Sequence, residues 1–187
     1  MRASALATEA DFLETSMRAL VLALAIGATS TLALAAPAKP APAAKAASFD
    51  ARDPTALVGL LSSMDATASV ASSGSGMVVL DIATPGGKFG AQFVQCNEGG
   101  KACGAVAFST AFERRGPNLQ QINDFNRTQV ACRGYLTEDG RSNVMYAAML
   151  TSRLSAAEMK QHLGIWQGCL STFGRFNRDP VAYLAGA

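Results

Sequence analysis

From residue 77 to residue 110 the apolar positions recur at every second residue. In 77–84 (MVVLDIAT) Val78, Leu80 and Ile82 share one face, and in 88–96 (KFGAQFVQC) Phe89, Ala91 and Phe93 do the same. A period of two is that of a half-buried strand. Pro85-Gly86-Gly87 separates these two runs, and NEGGKA (97–102) separates the second from 103–110, CGAVAFST. Three strands joined by Gly-containing turns form a meander. On either side the period lengthens to that of a helix. Asp53-Pro54 supplies an N-cap and a first-turn proline, and Leu57, Leu60, Leu61 and Met64 follow on one face. The Ser, Ala and Gly of 62–76 end that helix and leave room for one weak strand near 68–72.

After the meander, a helix starts at Pro117 and turns Leu119, Ile122 and Phe125 to the sheet. It runs into a strand at 130–136 (VACRGYL). The turn Glu138-Asp139-Gly140-Arg141 leads to a fifth strand, 143–150 (NVMYAAML), apolar on both faces and expected to be covered on both. Ser155-Ala-Ala-Glu158 is a capping box. The helix behind it carries Met159, Leu163, Trp166, Leu170 and Phe173, with Gly174 as its stop and a frayed tail beyond Pro180. The order α-β-β-β-α-β-β-α describes an α+β domain. It has a five-stranded antiparallel sheet and three helices, which lie mainly on one face.

The amino-terminal part has another character. Residues 17–36 join Arg18 to an apolar run and end in Ala33-Leu34-Ala35, the pattern of a cleaved secretory signal. Small polar residues from Gly27 to Thr31 interrupt the run and argue against a membrane span, so none is expected after cleavage. Glu9, Asp11 and Glu14 give residues 1–16 the wrong charge for the head of a signal, which makes Met17 the expected start. Residues 37–48 form a Pro/Ala linker, residues 49–180 the folded domain and 181–187 a tail. Export to the periplasm or beyond makes the four cysteines two disulfides. Of three connectivities, Cys96–Cys103 suits a hairpin and leaves Cys132–Cys169. A formal net charge of +2, with scattered basic residues, offers no nucleic-acid footprint.

Together the element order, Ile-Asn-Asp-Phe-Asn (122–126) running into a strand, the TEDGR turn (137–141) and a last helix with Trp166 and Phe173 resemble the YbjN family. The resemblance covers about 54–176. It implies a fold similar to type III secretion chaperones and the role of a sensory-transduction regulator. The expected function is non-enzymatic: a periplasmic module that binds an unidentified protein partner, with a homodimer as a further expectation by analogy with those chaperones. The signal and cysteines place this chain in an exported branch. The alternative is a small-ligand domain with an apolar pocket between sheet and helix, lined by Phe89, Phe93 and Phe125.

The candidate contact residues are Asn123, Phe125, Asn126, Arg127 and Trp166. The amides of Asn123 and Asn126 suit backbone groups at the helix-to-strand junction as well as a ligand. Arg127 has Asp124 and Glu113 as prospective partners. His162, the sole histidine, reads as a core-edge or surface residue. The sequence contains no nucleophile elbow, zinc-protease motif or phosphate loop. Neither catalytic residues, cofactor nor metal are therefore expected.

Overall fold

The structure is a computed structural model that describes residues 48–113 and 116–187. The extension, the signal and all but the last residue of the linker lie outside the described residues. The elements are α1 (Pro54–Ser62), β1 (Thr67–Gly74), β2 (Met77–Thr84), β3 (Gly87–Val94), β4 (Ala105–Ala111), α2 (Leu119–Thr128), β5 (Arg133–Leu136), β6 (Ser142–Met149), α3 (Ala156–Arg178) and α4 (Pro180–Ala185). The strands form one antiparallel sheet in the order β1-β2-β3-β4-β6-β5. The α+β class stands, but with six strands and four helices among the described residues rather than five and three.

Both additions arise from interactions that hydrophobic periodicity does not report. β1 takes in the weak strand expected near 68–72, but every residue except Ala68 is exposed, so its composition carries no burial signal. Backbone pairing with β2, from Thr67↔Ala83 to Gly74↔Met77, defines it. Ser75 and Gly76, both at positive φ, close the hairpin tightly. The expected frayed tail is the helix α4. Asp179 accepts from the Ala182 amide, Pro180 occupies the first turn, and the Tyr183 ring lies 5.9 Å from Phe125 and 5.5 Å from Phe176. Three boundaries also move. Gly174 lies inside α3, which continues to Arg178 because Phe173 and Phe176 are both buried. Asn118, through a capping box with Gln121, starts α2 after Pro117, and Leu119 stays 62% exposed. Val130 is 96% exposed, so pairing begins only at Arg133.

The side of the sheet that carries Val78, Leu80, Ile82, Phe93, Val106, Phe108 and Val144 is buried beneath the helices. Leu57 and Leu61 of α1 and Met159, Leu163, Trp166 and Phe173 of α3 join the same core. Each such side chain contributes about 1.5–3 kcal/mol by leaving water. The expectation that residues 143–150 are covered on both faces is corrected: Met149 is 70% exposed and Ala147 is exposed as well. Among the described residues no helix crosses the second face, and the apolar stripes of α1 and α3 join the core on the first.

Disulfides join Cys96 to Cys103 and Cys132 to Cys169, the pairs that the spacing favours. The first closes the β3–β4 loop, which Lys101 also pins to the α1 cap by an ion pair with Asp53 at 2.9 Å. Although partial burial raises the Asp53 carboxyl, bonds from Lys101 and Thr55 outweigh it and hold the group below the usual carboxylate range. The second bridge fastens the segment before β5 to α3.

The bridges span 37 and 7 residues, so chain-entropy reasoning ranks them. Cys132→Ala/Cys169→Ala is expected to cost about 4 kcal/mol and Cys96→Ala/Cys103→Ala about 2.5 kcal/mol in urea unfolding. Non-reducing peptide mapping should recover the same two pairs. Asp53, with its folded pKa depressed, stabilises the fold above its unfolded pKa of about 3.9, and that contribution fades as pH falls through the folded value. Asp53→Asn keeps the cap but should flatten the loss of stability below about pH 4, read from urea midpoints across pH.

Candidate functional site

The junction between α2 and β5 was the most specific polar cluster in the sequence. Its centre is Asn126. The side-chain amide donates to the Gly134 carbonyl at 3.0 Å, and its oxygen accepts from the Gly134 N–H at 2.7 Å. Gly134 belongs to β5, an edge strand, so one amide side chain takes both main-chain groups of the edge residue. On its other side Gly134 lies against Phe173, where an added Cβ would come within 2.6 Å of the ring. Asn126 therefore acts as architecture. Asn123 is exposed, and Arg127 pairs with Asp124 on the surface of α2. Phe125 is fully buried, 5.2 Å from Phe173 and 4.6 Å from Phe176 by ring centroids, so it presents nothing at the surface.

Trp166 is also fully buried, edge-on to Phe89 at 5.6 Å and stacked on Phe108 at 6.2 Å. The expected pocket lined by Phe89, Phe93 and Phe125 does not form, because Phe93 and Phe125 are solid core. Phe89 instead meets Trp166 at a cavity under α3. His162 is half-buried and its Nδ1 lies 2.5 Å from the Tyr146 hydroxyl, a bond that ties β6 to α3. Burial raises the Tyr146 pKa, which keeps the hydroxyl protonated at neutral pH. Glu158, bonded to the Ser155 N–H and hydroxyl, is held low by them and in lesser part by His162. Among the described residues no group of three or more His, Cys, Asp or Glu is placed to hold a metal, and no helix is long and apolar enough to cross a membrane.

The sequence reading missed the open face of the sheet. One cross-strand row there reads Ser69, Asp81, Gly90, Ser109, Met145, Arg133. The next reads Val79, Gln92, Ala107, Ala147, and a third Met77, Val94, Ala105, Met149. Small side chains therefore occupy the centre, and an acid and a base stand near the two ends of one row. A hollow of about 740 Å³ opens at one end of this face, walled by Asp81, Lys88, Ser109 and Asn143 among others. The signal was present as the second phase of each strand's alternation, but Ala and Gly mark neither a covered nor an open face. The buried Ser142–Asn177 hydrogen bond, 2.5 Å, also escaped notice because its partners are 35 residues apart.

Removing the Asn126 amide leaves two part-buried main-chain groups without their partner. Asn126→Ala is expected to cost about 2–3 kcal/mol, and Asn123→Ala less than about 0.5 kcal/mol, measured by denaturant midpoints.

Comparison with known proteins gives one family match. The model of the YbjN family, described as "Putative bacterial sensory transduction regulator", matches residues 53–176. No curated protein and no solved structure matches the chain. The matched span starts at the α1 cap, takes in all six strands and the Asn126–Gly134 clip, and ends at Phe176 in α3. On that match over most of its length, the chain belongs to the YbjN family.

Proposed function

We propose that this chain is a non-enzymatic, exported regulatory module that works by binding protein through the open face of its sheet. The observation that carries the reading is the bare second face, with Gly90, Val94, Ala105, Ala107, Ser109 and the exposed Gln92 at its centre. Six strands about 4.8 Å apart, four of them eight residues long, make a field that spans at most roughly 24 by 26 Å. That area approaches the roughly 800 Å² per partner of a standard protein interface. Small side chains let a second layer approach closely. The two disulfides and the family's description as a regulator support an oxidising, extracytoplasmic setting and a regulatory role. A secretory signal at residues 17–36 would carry the chain to the periplasm or beyond.

The charge pattern favours a second copy of the chain as occupant. A two-fold axis along β4 sets Asp81 of one copy opposite Arg133 of the other, because both residues stand two strands from Ser109 in one row. Interfaces with that symmetry are self-complementary in this sense.

Sedimentation of the chain from residue 37 onward is expected to give a dimer mass at micromolar concentration. Ala107→Arg, at the centre of the open face, should give a monomer. Gln161→Arg, exposed on α3, should leave the dimer intact. A monomeric wild type that retains a periplasmic protein, lost on Ala107→Arg, would transfer the face to a foreign protein. Retention unaffected by Ala107→Arg, or no binding at all, would reject the reading.

A further inference from the structure

The open face carries a ring at one side and a hollow at the other. Tyr135 in β5 pairs with Asn143, and its neighbour Gly134 faces the core, so the Tyr135 side chain stands on the open face. It is 40% exposed, the exposed aromatic side chain among the described residues. The hollow of about 740 Å³ lies across β1 to β4, with Ala83, Gly90 and Ala111 as small residues and Thr67, Asp81 and Lys88 around them. Its volume is that of sites that hold whole small molecules, roughly 300–1,000 Å³, so one phenol ring fits.

The two-fold axis along β4 that opposes Asp81 to Arg133 also fixes the other facing pairs. Residues in one row at equal distances on either side of β4 come face to face. Tyr135 of one copy stands over Ala83 of the other, Met145 over Gly90, and Gln92 over Ala147. Ala107, Ser109 and Ala111 of β4 meet their own copies on the axis. Of the remaining pairs, Lys88 faces Asn143 and Val94 faces Met149, polar with polar and apolar with apolar. Sheets packed face to face lie about 10 Å apart, so a long side chain on one needs a short residue opposite. Tyr135, Met145 and Gln92 each meet Ala or Gly. Charge alone selected the axis, and this match of sizes is independent of it.

We propose that Tyr135 is the anchor of the homodimer, with its ring seated in the hollow of the partner subunit over Ala83. The symmetry gives two such seats per dimer. The proposal rests on the second copy as occupant of the open face and adds which side chain holds it there. A ring buried in a partner's pocket near the middle of an interface is the usual form of a hot spot, and Tyr is enriched in that role.

Sedimentation equilibrium over a concentration series reads the dimer dissociation constant. Tyr135→Ala is expected to raise it at least about 30-fold, and Tyr135→Phe, which keeps the ring, by less than about fivefold. Ala83→Phe places a second ring in the same seat and should also weaken the dimer. Tyr135→Ala/Ala83→Phe moves the ring to the other side of the seat and should bind more tightly than either single variant. Should Tyr135→Ala lower the thermal midpoint, Tyr135→Thr, which suits a strand, takes its place in both arms. A dimer of wild-type strength in the ring-less variant, or a double variant no tighter than that variant alone, would overturn the anchor and leave the dimer standing. A wild type that stays monomeric would overturn both.

Discussion

Twenty-three residues of α3 rise about 34 Å, while six strands about 4.8 Å apart make a sheet about 24 Å across. One helix is therefore long enough to traverse the whole sheet. Its inward residues change character on the way. Met159 and Leu163 lie near its start, Trp166 meets Phe89 and Phe108, and Phe173 and Phe176 close on Phe125. The remaining helices fit around that packing. The core would lose its lid without α3, and the sheet's other face is bare because no second element of that length exists among the described residues.

The carboxyl-terminal part of α3 depends on devices that hold β5 in place. β5 has only four residues and lies at the sheet's edge, where backbone pairing with β6 alone is a weak restraint. Asn126 binds its Gly134 from α2, Phe173 packs on the same glycine, and the Cys132–Cys169 bridge ties the preceding segment to α3. Each device constrains the same strand from a different direction. An alanine at 134 would collide with the Phe173 ring, so the glycine is a packing requirement. The opposite edge, β1, has no such cover and is blunted only by the irregularity between Val70 and Ser72.

The two faces of this sheet do different things. The covered face makes the core and leaves one uncharged cavity beside Trp166. The bare face offers area and a matched acid and base but no enclosure. The Tyr146–His162 bond links two elements, and burial keeps the Tyr146 phenol protonated. Asn126–Gly134, Ser142–Asn177 and Tyr146–His162 serve as polar ties between elements.

Much of this was written locally. The alternation in 77–110, the Asp53-Pro54 start and the Ser155–Glu158 box mark their elements because strand period and helix capping depend on residues within a few positions of each other. The spacing of the cysteines, read with the expected export signal, pointed to the same two pairs that the structure joins. Tertiary structure alone decided the rest. β1 exists through its backbone bonds to β2, α4 through Tyr183 lying on Phe125 and Phe176, and the bare face through the absence of a further layer. The alignment of Asp81 with Arg133 depends on pairing across β2, β3, β4, β6 and β5. Asn126 illustrates the division most clearly. Its place beside a helix-to-strand junction was legible, because Asn favours backbone partners there. That it would close a sheet edge at Gly134 followed only once α2 and β5 were brought side by side, since a hydrogen bond is set by distance and direction in space.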